Sequence, residues 1–202
     1  MLSKRYLLMP IILLTLNRKA QILMELKDFI LTPIYLIIIF YIAKSYHNKH
    51  YAGTEIGKHF LPFLRFKIIG VIFFVLIYVY YYGGGDTISY FLATKSVLFN
   101  LTHAPGDVFS FLLTQSDAVP DNLTRFSHVG YIWRGISSLM TIKIASIMSI
   151  LSFGSIMVSN IMFSAFSFIG LWKLYELLAT IYPSLKKQLA YSTLYIPSVI
   201  FW

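Results

Sequence analysis

The chain has no cysteine among its 202 residues. That excludes disulfides, thiolate metal sites and a cysteine nucleophile. Charge is scarce as well: 12% of residues are charged, where a soluble domain carries roughly 25%. Eight residues are acidic against seventeen basic ones, giving a formal net charge of +9. The basic residues are not gathered on an amphipathic face with interleaved readout side chains, so nucleic acid is not the partner that this charge implies. They cluster in short segments beside apolar runs, the pattern that the positive-inside bias produces at a membrane. A large soluble helical core is the competing explanation, but core helices rarely run this long without a polar face.

What the chain does contain is apolar: 57% of its residues are hydrophobic. The segment Lys67–Asp86, KIIGVIFFVLIYVYYYGGGD, holds a charge-free run that stops at three glycines and a carboxylate. A bilayer core of roughly 30 Å needs about 20 helical residues. Tyr78, Tyr80, Tyr81 and Tyr82 stand where an aromatic belt meets the headgroups. The expected fold class is all-α, a polytopic transmembrane helix bundle with an extracytoplasmic loop of interfacial helices. Its partner is membrane lipid.

The first expected span is Phe29–Ala43, bounded by Lys27, Asp28 and Lys44, with Pro33 near its first turn, where a missing N–H does least harm. Lys44–Lys67 then sets Lys44, Lys49, Lys58, Arg65 and Lys67 against Glu55 alone, which makes it the cytoplasmic loop. Its His47, His50 and His59 read as solvated rather than as metal ligands, since no carboxylate cluster accompanies them. Ile68–Tyr82 therefore runs outward, and Gly83–Ser138 is extracytoplasmic with Asp86, Asp107, Asp117 and Asp121. Within it, Thr87–Leu101 and Val108–Leu113 suit interfacial helices. Ile132–Ile181 has two readings. One is a hairpin of Ile136–Phe153 and Ile156–Thr180 turning at Gly154–Ser155; the other is a single tilted span, Ile144–Leu171. The segment is far longer than one span requires, which favours the hairpin, although the charge rule prefers the single span because it places Lys186 and Lys187 in the cytoplasm. At the ends, Met1–Leu16 is signal-like but lacks a small-residue cleavage site, and Met24 is a more natural start. Pro197–Trp202 lies inside an apolar segment, so 24–202 is expected to be the N-terminal part of a longer membrane domain.

The sharpest local feature is Gly83-Gly84-Gly85-Asp86-Thr87. As structure, the glycines end one helix and Asp86 caps the next, with Ser89 at the N3 position. As chemistry, Asp86 is a carboxylate at the membrane surface, able to act as a base or to ligate a divalent cation. No Gly-Lys-Ser/Thr follows, so this is not a phosphate-binding P-loop. Tyr90 follows one helical turn later. His103, Asp107 and His128 share the same external region, and Tyr90, His103, Asp107 and Arg134 are the candidate substrate-binding groups. Arg134 and Lys143 flank or enter the third span. Charges near a span's end can snorkel, while a guanidinium there suits a lipid phosphate, which it grips bidentately.

Two likenesses rest on these residues. Lys67-Ile68-Ile69-Gly70, Tyr80–Thr87, Tyr90-Phe91, Ser167–Trp172 and Pro197–Trp202 resemble multi-pass inner-membrane proteins of bacteroidete bacteria, a family that brings no established activity. More remotely, the layout resembles the C-type glycosyltransferases and polysaccharide polymerases. These place an acidic residue in the first external loop, interfacial helices after it, and an arginine near the start of a helical hairpin. Asp86 and Arg134 occupy those positions. The resemblance implies a polyprenyl-phosphate-linked sugar as donor, with its phosphate near Arg134. The chain departs from that pattern in having no paired Asp-x-Asp or Asp-Glu at Asp86.

Overall fold

The chain is all-α: among the described residues of this computed structural model there is no strand. Those residues are 24–113, 119–121, 123 and 135–196. The signal-like segment, Asp117, His128, Arg134 and the closing Pro197–Trp202 lie outside them. The helices are α1 Leu26–His50, α2 Phe60–Leu76, α3 Asp86–His103, α4 Pro105–Leu113, α5 Ile136–Leu151, α6 Ile156–Ile181 and α7 Lys186–Thr193. A 3-10 turn, Ile56–His59, leads into α2, and a wider π segment, Ile77–Tyr82, continues it.

Three helical stretches are long and apolar enough to cross a membrane: Leu26–His50, Ile56–Tyr82 and Ile156–Ile181. They hold 25, 27 and 26 residues, or about 37–40 Å at 1.5 Å per residue. Much of their apolar surface is bare. Ile37, Tyr41 and Ile42 on α1, Phe73 on α2, and Phe166, Ile169 and Leu177 on α6 are all exposed. Lipid is the solvent in which such surface carries no cost. By length and composition, the chain is an integral membrane protein.

Several expected boundaries move. The helix α1 starts three residues before Phe29 and continues seven beyond Ala43. Pro33 therefore stands in its interior rather than its first turn, and Phe29 loses its usual intrahelical donor. The cytoplasmic loop expected over Lys44–Lys67 contracts to a short turn around Tyr51–Glu55. The side chains of the turn build it. Thr54 Oγ1 donates to the Tyr51 carbonyl at 2.7 Å and accepts the Gly57 N–H at 3.1 Å. Gly57 admits no side chain: a Cβ there would collide with the Tyr51 carbonyl and lie 2.8 Å from Thr54 Oγ1. Lys67 is no loop residue. It lies two turns into α2 and is fully buried, because the apolar run Phe60–Leu64 extends the helix backwards from it.

The hairpin reading holds for the secondary structure: α5 and α6 are separate helices joined at 152–155. Phe153 and Gly154 both adopt left-handed backbone angles, and Ser155 then starts α6. Its hydroxyl accepts the Val158 N–H at 3.1 Å, the N3 donor that a capping serine satisfies. The hydroxyls of Ser152 and Ser159 meet at 2.6 Å across the turn. But α5, with 16 residues, reaches about 24 Å, short of a bilayer core. The hairpin has one arm of spanning length.

Contacts divide the chain into two units. One comprises Lys27–Val75 with the chain from Asn160 onward. Its core is aromatic: Tyr51, Phe60, Phe63, Phe168, Trp172 and Tyr175 are buried together. Phe60 stacks on Tyr51 at 5.5 Å and meets Phe168 and Trp172 edge-on at 4.9 and 4.8 Å, geometries that the ring quadrupole favours. The other unit comprises Leu76–Ser159 with the chain up to Leu26. Here α3 packs on α5 and α4 through Ala93, Val97, Val108, Leu139 and Ile142. Glu25 and Lys95 pair at 2.8 Å within this unit.

Candidate functional site

The π segment ends where its sequence ends it. Gly83 takes a left-handed conformation (φ 57°) and donates its N–H to the Tyr78 carbonyl at 2.9 Å. Gly85 (φ 104°) lies against the Tyr78 ring, where a Cβ would come within 2.9 Å of the ring edge. These two positions need glycine, and the turn they make delivers Asp86 as the first residue of α3. The expected cap is therefore displaced by one residue: Gly85 holds the N-cap position, and its carbonyl accepts the Ser89 N–H at 3.0 Å. Asp86 is exposed. A helix N-terminus is a favourable place for negative charge, because the free N–H groups and the helix dipole point at it.

Tyr90 stands one turn along the same face, half-buried, with its hydroxyl 3.4 Å from Ser138 Oγ on α5. The other candidates are elsewhere. His103 lies at the far end of α3, about 25 Å from Asp86 by helix rise. Its ring stacks on Phe99 at 4.1 Å, and Nδ1 is 2.9 Å from the Phe99 carbonyl. Asp107 belongs to the first turn of α4, and its N–H donates to the Ala104 carbonyl at 3.1 Å. The structure thus keeps Asp86 and Tyr90 together and sets His103 and Asp107 apart from them. Arg134 lies outside the described residues. Among the described residues, no three His, Asp or Glu side chains stand close enough to hold a metal ion.

A second cluster surrounds the Tyr51–Glu55 turn. Glu55 accepts from Lys58 Nζ at 2.7 Å. That hydrogen bond, the charge of Lys58 and the more distant charge of Lys186 hold its carboxyl below the usual range. Glu55, Lys58, His59, Tyr175, Lys186 and Lys187 border one shallow cavity of about 210 Å³, and Tyr175 Oη donates to the Lys186 carbonyl at 3.3 Å. Lys186 and Lys187 are therefore at the same end as the basic turn. His47 and His59, expected to be solvated, are half-buried among rings: His47 against Phe60, and His59 against Tyr175, Tyr191 and Tyr195. Burial raises the Tyr51 and Tyr195 hydroxyls above their ordinary pKa.

Two lysines are buried: Lys67, which the sequence places in the cytoplasmic loop, and Lys143, which it places at the edge of the third span or within it. Lys67 is fully enclosed on α2, and Lys143 on α5 places Nζ 5.2 Å from the Phe111 ring centroid. Beside an apolar run a lysine reads as a flank, and only the packing of other elements shows otherwise. Comparison with protein-family models, with curated proteins and with solved structures finds no match to this chain.

Proposed function

We propose that the chain is a multi-pass protein of the bacterial inner membrane that serves as a glycosyltransferase or polysaccharide polymerase using polyprenyl-phosphate-linked sugars. The observation that carries this reading is the exposed Asp86 carboxylate, presented by a glycine-built turn directly after a helix of spanning length. There it acts as the base, or as ligand to a divalent cation, while Tyr90 orients the acceptor. Arg134 holds the donor phosphate. The Tyr51–Glu55 turn, with Lys49 and Lys58 on either side of it, is cytoplasmic in this topology, α1 enters from outside, and α6 returns Lys186 and Lys187 to the cytoplasm. The charge rule and the two-helix hairpin then agree, because α5 does not cross.

Since the chain has no native cysteine, single cysteines at positions 55, 187 and 107 report this topology in intact cells. An impermeant maleimide should label 107 alone; labelling at 55 or 187 would overturn the arrangement. For the chemistry, Asp86→Asn keeps the shape and removes the charge. Envelope glycan output should fall by orders of magnitude at unchanged membrane abundance, and full output would refute the catalytic role. One observation favours a second reading, a non-catalytic scaffold or transport subunit: His103 and Asp107 do not converge on Asp86. In that case the Asn variant behaves as the parent.

A further inference from the structure

A groove of about 380 Å³ runs between α1, α2 and α6, walled by Ile39, Leu64, Ala165 and Phe168. That volume falls within the range of small-molecule sites, roughly 300–1,000 Å³. Its three helices are the ones of spanning length, so it opens along lipid rather than water. One end is different in kind. There Tyr46, Trp172 and Lys173 complete the lining, beside the basic turn.

Lys173 is the polar feature of that end. Its ammonium has three N–H donors. One goes to Glu176 Oε2 at 2.7 Å and one to Tyr51 Oη at 3.4 Å, which leaves a third. The side chain is about half exposed (56%), so the ammonium is reachable from the groove's mouth. Around it the charge is one-sided: Lys44, Lys49, Lys58, Lys186 and Lys187 flank this end of the helices, against Glu55 and Glu176.

We propose that this groove binds one anionic phospholipid, its acyl chain lying along Ile39, Leu64 and Phe168 and its phosphate meeting Lys173. An apolar trough alone would accept any lipid tail. The fixed ammonium at its end, in a basic surround, is what selects a negatively charged headgroup. The site lies wholly within the unit of Lys27–Val75 and Asn160 onward, and it does not depend on the chemistry proposed for Asp86.

Trp172 lines the groove and is its own reporter. With Trp133→Phe and Trp202→Phe in the full chain, Trp172 is the sole tryptophan. Brominated phosphatidylglycerol and brominated phosphatidylcholine are then titrated against its fluorescence in detergent. Phosphatidylglycerol should quench at about fivefold lower concentration, the factor that one lysine gives near an anionic surface, and the preference should weaken as salt rises. The double variant Lys173→Gln/Glu176→Gln leaves the net charge of this end unchanged. It should bring the two lipids within twofold of each other, while Lys173→Arg keeps the preference. Ala165→Phe, which fills the trough, should weaken quenching by both lipids. Equal quenching in the parent would mean unselective annular contact and would overturn the proposal. So would a preference that survives the double variant, which would assign it to the diffuse basic surface. Absence of quenching by either lipid, with self-association of the chain, would give the groove to a second copy and overturn it too.

Discussion

In the unit of Lys27–Val75 and Asn160 onward, the largest enclosed side chains are Trp172, Tyr175 and Phe63; in the unit of Leu76–Ser159, aliphatic residues with Phe91 and Phe111 share the interior with Ser89, Thr94, Ser96, Asn100, Ser146 and Ser149. The first unit fills space with rings and encloses few polar side chains, Asp28, Lys67 and Ser164. The second brings polar groups inside and has to satisfy them there. Thr94 donates to the Phe91 carbonyl at 2.8 Å, Asn100 to Ser96 at 2.9 Å, and Ser96 to Leu123 at 2.5 Å. Short side chains that bond back to their own helix let α3 and α5 approach closely without orphaning many donors. Among the described residues, Ser146 and Ser149 are the hydroxyls on α5 that this arrangement leaves unpartnered. The lesson is that the two interiors should answer differently to the same kind of deletion.

The largest difference is expected from truncation. Trp172→Ala removes the ring that meets both Tyr51 and Phe60 edge-on. It should cost about 3–5 kcal/mol, in line with buried aromatic truncations elsewhere. Val97→Ala, at an equally enclosed position in the other unit, should cost about 2 kcal/mol, because fewer atoms lose their contacts. Unfolding of both variants in mixed micelles measures this. Equal losses would mean that the aromatic cluster packs no better than the polar interior.

The extent to which this contrast was legible in the sequence differs by element. The end of the second span at Tyr82–Gly85 and the turn at Gly154–Ser155 were readable, because glycine and serine act there through local backbone geometry. The segments Thr87–Leu101 and Val108–Leu113, expected to be helical, correspond to α3 and α4 for the same reason: their polar interruptions are local. Lys67 was not readable. Its enclosure depends on neighbours distant in the chain, such as Ser164, whose hydroxyl lies 3.4 Å from the Lys67 carbonyl. The separation of His103 from Asp86 requires only that Thr87–Leu101 be followed through as one helix, whose length keeps the two ends apart. Asp86 and Tyr90, one turn apart on that helix, need only its first turn.

A smaller effect, with a change of sign, separates the polar groups within the second unit. Ser96→Ala leaves the buried Leu123 carbonyl without its donor and should destabilise by about 1–3 kcal/mol. Ser146→Ala removes a hydroxyl that bonds to nothing, so burial of the methyl should be neutral or stabilising by about 1 kcal/mol. The two serines are chemically identical and both are enclosed, so composition cannot account for opposite outcomes. A loss at Ser146 equal to that at Ser96 would show that its hydroxyl is engaged after all, and the polar interior would then be fully satisfied.

The smallest effect belongs to the exposed end of the aromatic unit, and it is a matter of pH. Glu55 is fully solvated, and its carboxyl is held below the ordinary value of 4.5, first by the hydrogen bond from Lys58 and then by the charges of Lys58 and Lys186. A carboxyl whose folded pKa is depressed binds its proton more readily in the unfolded chain. Its contribution to stability is therefore complete above the unfolded value and is lost as pH falls through the lower folded one. Exposed pairs contribute little, and salt screens them. The measurement is a melting midpoint against pH for the parent and for Glu55→Gln, at low ionic strength. The midpoints should differ slightly from pH 7 down to about 4.5, then converge on further acidification as Glu55 in the parent takes up its proton. A gap that stays constant through that acid range would assign the difference to the lost side-chain contact with Lys58 rather than to charge. The ordered aromatic interior would then extend its packing out to the turn itself.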